Sequence, residues 1–181
     1  NMLSKRGKGF KIALNSLNVG RIKLAAACLD ASRRIITESV KYANERIQFK
    51  TPISSFGAIQ FKIAEMSART FASDAGSYRA AKDIQNYIDA LEAKGKTIQE
   101  AELEAFSEYA IEAAILKVYA SETSQYVSDE GIQIFGGMGF SKDTPMESSW
   151  RDARIARIYE GTNEINRLLT VGMLLKKAFK G

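Results

Sequence analysis

The sequence contains no histidine. That absence removes Ser-His-Asp and Cys-His nucleophile pairs, and His-ligated zinc or haem, from anything this chain can do by itself. A single cysteine, Cys28, excludes an internal disulfide and a paired-cysteine redox centre. Prolines number only two, Pro52 and Pro145, so little interrupts helix formation. No apolar run reaches the roughly 18 residues that a membrane span needs. The basic segment Asn1–Phe10 is followed by no apolar stretch of the signal-peptide kind. Any acid–base chemistry must therefore fall to carboxylates, lysine or tyrosine.

What is present reads as one globular domain, or two small ones at most. The chain has 181 residues, 45% of them hydrophobic and 26% charged, enough to bury a core without covalent staples. Lys and Arg exceed Asp and Glu by 26 to 21, a net charge of +5. A mildly basic surface can attract nucleic acid, anionic lipid or a phosphorylated small molecule, or can simply be scattered solvated lysine. Asn1 preceding Met2 reads as an expression scar, which suggests a piece of a longer protein.

Hydrophobic spacing predicts an all-α fold, an antiparallel four-helix-type bundle. Phe10, Leu14, Leu17, Arg21, Leu24, Cys28, Ala31 and Ile35 recur at spacings of three and four. A second apolar line, from Ile12 through Val19, Ile22 and Leu29 to Val40, makes this first helix a central one, ending between Gln48 and Pro52. A second helix starts at Ser54 or Ser55, either being a suitable N-cap, and runs toward Leu91. After a polar break at residues 92–97, Phe106, Tyr109, Ala113, Leu116, Ala120, Thr123 and Val127 define a third helix antiparallel to the second. It ends at Phe135 or Gly136, where glycines cluster. A short basic segment follows Pro145, and Thr162 caps a final helix whose apolar face is Ile165, Leu168, Leu169, Leu175 and Phe179. No strand-like alternation is long enough to predict a sheet.

Three features point toward chemistry. Arg21 sits in an apolar stripe, which requires an internal partner or an anionic ligand. The run Gln133-Ile134-Phe135-Gly136-Gly137-Met138-Gly139-Phe140 reads either as a helix C-cap or as a place where a cofactor meets bare backbone. It follows a helix, so it is not a dinucleotide fingerprint. In Tyr159-Glu160-Gly161-Thr162, a carboxylate stands at a glycine break just before a helix N-terminus. There it is either a helix-ending glutamate or a positioned base.

These motifs occur together and in order. With Gly9-Phe10-Lys11, Leu14 to Arg21, Tyr42-Ala43-Asn44-Glu45-Arg46-Ile47-Gln48-Phe49 and Arg151-Asp152-Ala153, the chain resembles the C-terminal α-helical domain of the acyl-CoA dehydrogenase family over nearly its whole length. The likeness is weakest between Gln85 and Glu108, and its nearest branch is the very-long-chain type. The resemblance implies that residues 1–181 are the last domain of a flavoprotein whose N-terminal helical and middle β domains lie outside this chain. It implies oxidation of the Cα–Cβ bond of an acyl-CoA thioester to a trans-2-enoyl-CoA, with FAD as cofactor and electron-transfer flavoprotein as acceptor.

Carried over by position, Glu160 is the expected base. Arg46, Gln48 and Phe49 would reach the FAD of a neighbouring subunit, and Gln133, Gly136 and Gly137 its adenine end. Thr162 and Glu164 would lie beside the cofactor, with Tyr159 and Gly161 at the substrate. Leu17, Asn18 and Arg21 would wall the CoA channel, with Arg21 meeting a CoA phosphate or the adenosine part. The family alternative to the Glu160 base, a carboxylate just before that arginine, is removed because Gly20 stands there. Lys50 and Ser148 depart from the family pattern, Lys50 replacing a common glycine.

The resemblance further implies a homodimer or tetramer, no metal, no nucleic-acid partner, and a bacterial cytoplasmic or mitochondrial matrix location. The chain alone would be inactive, since the middle domain holds the flavin ring. An acyl-CoA oxidase-type domain and a non-catalytic helical oligomerisation module remain as alternatives.

Overall fold

The computed structural model describes residues 6–179, so the first half of the basic N-terminal segment read above lies outside the described residues. Helix α1 (Gly9–Glu45) spans 37 residues, about 55 Å at 1.5 Å per residue. It ends where Arg46 turns extended, close to the limit that Pro52 implied. A two-residue hairpin follows, missed because strands this short show no alternation. Strand β1 (Ile47–Gln48) pairs antiparallel with β2 (Thr51–Pro52), placing Ile47 opposite Pro52 and Gln48 opposite Thr51. Phe49 and Lys50 form its turn with φ of 50° and 67°, the primed geometry that matches strand twist.

A 3₁₀ turn (Ile53–Ser55) leads into α2 (Gly57–Glu92), whose N-cap is Phe56 rather than a serine. Ser55 is engaged elsewhere, its hydroxyl donating to the Pro52 carbonyl at 2.7 Å. The break at residues 92–97 is as expected, and Thr97 and Glu100 close a capping box on α3 (Ile98–Glu108). The expected third helix is divided: α4 (Ala110–Phe135) begins anew after Tyr109, at φ −90° and ψ 23°. Tyr109 packs edge-on against Tyr87 of α2 at 6.0 Å, so the tertiary contact fixes the bend without glycine or proline. Short α5 (Gly137–Phe140), α6 (Met146–Ala156) and α7 (Asn163–Ala178) complete the chain.

The central helix is α4, not α1. Residues on several sides of α4 are buried, among them Ala114, Lys117, Ser121, Val127 and Ile134. The start of α1, by contrast, exposes Phe10, Leu14 and Leu17. Ile35, Met66, Val127, Ile134, Phe135 and Met146 make one core, and Leu24, Cys28, Ala80, Leu116 and Ala156 a second. A third joins Ile84, Ile88 and Leu91 to Ala101 and Ala105, seating α3 on α2. The antiparallel bundle is therefore α1, α2 and α4 with α7, plus the α3 and α6 flanks. No helix among the described residues is long and apolar enough to cross a membrane.

Candidate functional site

The most constrained backbone lies between α6 and α7. Glu160 has φ of 60° and Gly161 φ of 84°, two successive left-handed residues of which only the second is glycine. A non-glycine there costs about 1–3 kcal/mol and persists only where surroundings hold it. Here they do. The Arg21 Nε donates to the Glu160 carbonyl at 3.1 Å. The Gly161 carbonyl accepts from Lys117 Nζ at 2.9 Å and from Asn166 Nδ2 at 2.8 Å. Asn166 also donates to the Thr162 carbonyl at 3.1 Å, and the Thr162 hydroxyl caps α7 by accepting from the Ile165 N–H at 3.3 Å.

The Glu160 side chain lies back across α1. A Cβ placed on Gly20 would stand 2.8 Å from Oε2 and 2.9 Å from both Cδ and Oε1, so the bare glycine makes the room. Oε2 is buried with no hydrogen-bond partner. A carboxylate oxygen left unpaired inside a protein is costly, and such exceptions concentrate at functional sites. Tyr159, next to it, is 44% exposed and lines a cavity of about 410 Å³ with Leu24, Ala27, Cys28 and Ala156. Burial pushes the Cys28 thiol up to about 11, so it is a core residue and not a nucleophile.

Arg21 and Asn18 both lie in the interior of the domain. Arg21 is only 5% exposed, and its Nη1 donates to Asn18 Oδ1 at 3.1 Å. Burial lowers its pKa, opposed by the Glu160 carboxylate. Asn18 in turn donates to the Phe106 carbonyl at 3.0 Å, tying α1 to α3. Both side chains are hydrogen-bonded inside the domain, and Arg21 holds the Glu160 turn. Leu17 remains partly exposed on α1. Glu164 is exposed in the first turn of α7, and hydrogen bonds from its backbone N–H and Thr162 hold its carboxyl below the usual range.

A second group assembles at the far end of α4, about 28 Å from Lys117 by helix rise. Arg46, Gln48, Gly136 and Gly137 share a cavity of about 510 Å³ with Tyr42, Ile53 and Phe135. Tyr42 stacks on Phe135 at 4.1 Å, bringing the hairpin and the glycine turn together across some 90 residues of sequence. Gly136 (φ 60°, ψ −138°) adopts a backbone essentially reserved for glycine. Nothing lies within 4 Å of a Cβ built on Gly136 or Gly137, so both present open backbone. Gln133 is exposed one turn earlier and Phe49 is 88% exposed at the hairpin tip, neither lining the cavity.

Sequence reasoning missed Lys117, Asn163 and Asn166, all fully buried or nearly so. The signal was available: Lys117 is the lone charge between Ala113 and Ala120 on an otherwise apolar stretch. Among the described residues no cluster of acidic or cysteine side chains suits a metal ion.

The model of the family "Acyl-CoA dehydrogenase, C-terminal domain" matches residues 7–174. A Bacillus subtilis protein named "Probable acyl-CoA dehydrogenase" is 45% identical over 181 residues, which are 100% of this chain and 30% of that protein. The mitochondrial very long-chain specific acyl-CoA dehydrogenase of Macaca fascicularis is 42% identical over 168 residues, 93% of this chain and 23% of that protein. The crystal structure of a Bacillus anthracis acyl-CoA dehydrogenase complexed with FAD superposes with a TM-score of 0.95 at 44% identity, covering 100% of this chain and 31% of that one. The chain thus spans under a third of the length of these relatives.

Proposed function

The chain belongs to the acyl-CoA dehydrogenase family through its C-terminal domain, and on that premise we propose that it supplies the proton-abstracting base of a flavin-dependent acyl-CoA oxidation. The observation that carries this reading is the Glu160 carboxylate, set on a strained turn with one oxygen buried and unpaired. An α-proton beside a thioester is weakly acidic, so its base must be close, aligned and partly desolvated. The pinned carbonyls of residues 160–162 fix the direction in which that carboxylate points. As the proton moves to Glu160, enolate charge develops on the thioester oxygen and calls for N–H donors beside it; those of Asn163, Ile165 and Asn166 at the start of α7 are already engaged within the chain. Tyr159 and Leu24 offer an apolar wall beside the base.

FAD, when bound, supplies the acceptor for the β-hydrogen as hydride. The residues present fit its outlying parts: Arg46 and Gln48 project into the cavity where Gly136 and Gly137 leave backbone uncovered. A guanidinium suits a pyrophosphate, and bare glycine backbone suits close approach of an adenine. The separation of this cavity from Glu160 supports two cofactor edges from different subunits. The exposed stripe Ile165, Leu168, Val171, Leu175 and Phe179 on α7 supports assembly as a homodimer or tetramer. Acyl-CoA is the proposed substrate and electron-transfer flavoprotein the proposed acceptor, in the bacterial cytoplasm or mitochondrial matrix. The isolated chain, providing only edges of the site, is expected to be colourless and inactive.

The test is Glu160→Gln in the complete flavoprotein. It should retain FAD and bind acyl-CoA, while flavin reduction on rapid anaerobic mixing slows by at least about a hundredfold, the scale of a lost general base. Flavin bleaching at the parent rate would remove Glu160 from the role and leave the domain as a structural module.

A further inference from the structure

We propose that Lys117 is a positioning residue for the base, acting through the Gly161 carbonyl; this rests on the reading of Glu160 given above. Lys117 is completely buried in the middle of the domain. An isolated ammonium in such a place is expensive, and a lysine kept there must have a task beyond filling space. Its Nζ donates to the Gly161 carbonyl at 2.9 Å and to Asn163 Oδ1 at 2.7 Å.

The network around it is built outward from the turn. Asn163 donates to Ser121 Oγ at 3.1 Å and to Glu122 Oε1 at 3.2 Å. Both Glu122 carboxylate oxygens accept from the one Nη2 of Arg167 on α7, each at 2.8 Å. The first turn of α7 is thereby fastened to α4 by side chains alone, with Lys117 as the member that reaches the 160–161 backbone. Arg21 approaches the same turn from α1. Two cations on two helices thus draw successive carbonyls, those of Glu160 and Gly161, toward the core. That is the force that keeps two left-handed residues in register and the Glu160 carboxylate over Gly20.

The charges facing Lys117 are consistent with this task. Burial lowers its pKa and Arg21 lowers it further, while Cys28, Glu164 and Glu160 oppose them. Without the amine, the Gly161 carbonyl would keep Asn166 as its donor, and the turn could relax toward ordinary dihedrals. The base would then be displaced but not removed. A misplacement of about 1 Å can cost on the order of a hundredfold in rate.

The experiment uses the complete flavoprotein with Lys117→Met, Glu160→Gln and the double variant. Lys117→Met is expected to keep FAD and its affinity for an unreactive acyl-CoA analogue, read from the flavin spectrum, while flavin reduction per bound flavin falls about tenfold to a hundredfold. Because Lys117 acts through Glu160, the double variant should be no slower than Glu160→Gln alone. If Lys117→Met does not fold, Lys117→Gln, which keeps a donor of shorter reach, carries the same criteria. Unchanged reduction per flavin, or slowing in the double variant equal to the product of the two singles, overturns the proposal. A Glu160→Gln protein that reduces flavin at the parent rate overturns the underlying reading instead, so the two failures are distinguishable.

Discussion

Three glycines in one turn should respond to the same substitution in three different ways. A Cβ on Gly139 would stand 2.5 Å from the Ile132 carbonyl oxygen, 2.8 Å from its Cα and 3.0 Å from its carbonyl carbon. Favourable carbon contacts lie near 3.5–4.0 Å, so backbone must move by several tenths of an ångström to about 1 Å. Overpacking of this kind costs about 1–3 kcal/mol. For a chain of this size each kcal/mol shifts Tm by about 2–4 °C, so Gly139→Ala should melt about 2–12 °C lower. Gly136→Ala meets open space but must hold φ of 60° and ψ of −138°, costing about 1–3 kcal/mol through strain. Gly137→Ala meets neither obstacle and gains helix propensity of up to about 1 kcal/mol, so its Tm should stay level or rise. Thermal melts of the chain followed by far-UV circular dichroism give the comparison. Gly139→Ala melting within a degree of the parent, or Gly137→Ala falling as far as it, would refute this account of the turn.

Lys50→Gly should raise Tm by about 2–4 °C, since a side chain at φ of 67° carries roughly 1 kcal/mol of strain; a lower Tm would mean that Lys50 makes compensating contacts. The Cys28 thiol, held at about 11 against an ordinary 9.0, should react with iodoacetamide at pH 8 about a hundredfold more slowly in the folded than in the unfolded chain. The same shift sets a sign for stability: the folded state keeps its proton longer, so this contribution is complete below pH 9 and is lost as pH rises toward 11. Cys28→Ala should flatten stability across that window; an alkaline loss unchanged by the substitution would assign it to the raised tyrosines instead.

The helices were legible because a buried face imposes a period, and Leu24, Cys28 and Ile35 carry it on α1 without ambiguity. Caps were partly legible. Thr162 serves as read, but Ser55 prefers the Pro52 carbonyl and leaves the N-cap to Phe56. The Tyr109 bend left no local mark, since Tyr87 on another helix determines it. Within the site, the glycine and the following cap marked Glu160 as a candidate, and only the family resemblance favoured a base over a helix-ending glutamate. The inward turn of Arg21 carried no such mark, because its acceptor is a backbone carbonyl 139 positions away. Backbone carbonyls look alike in every sequence, so networks that end on them, including that of Lys117, emerge only from coordinates.

The space over Gly20 couples two positions that the sequence keeps far apart. A side chain at position 20 would meet both Glu160 oxygens within 3 Å, so the two positions claim one volume. Any enlargement at position 20 must therefore be matched by a reduction at position 160, or the carboxylate must leave its place over α1. The room for one side chain is thus held open by the lack of another, on a different helix.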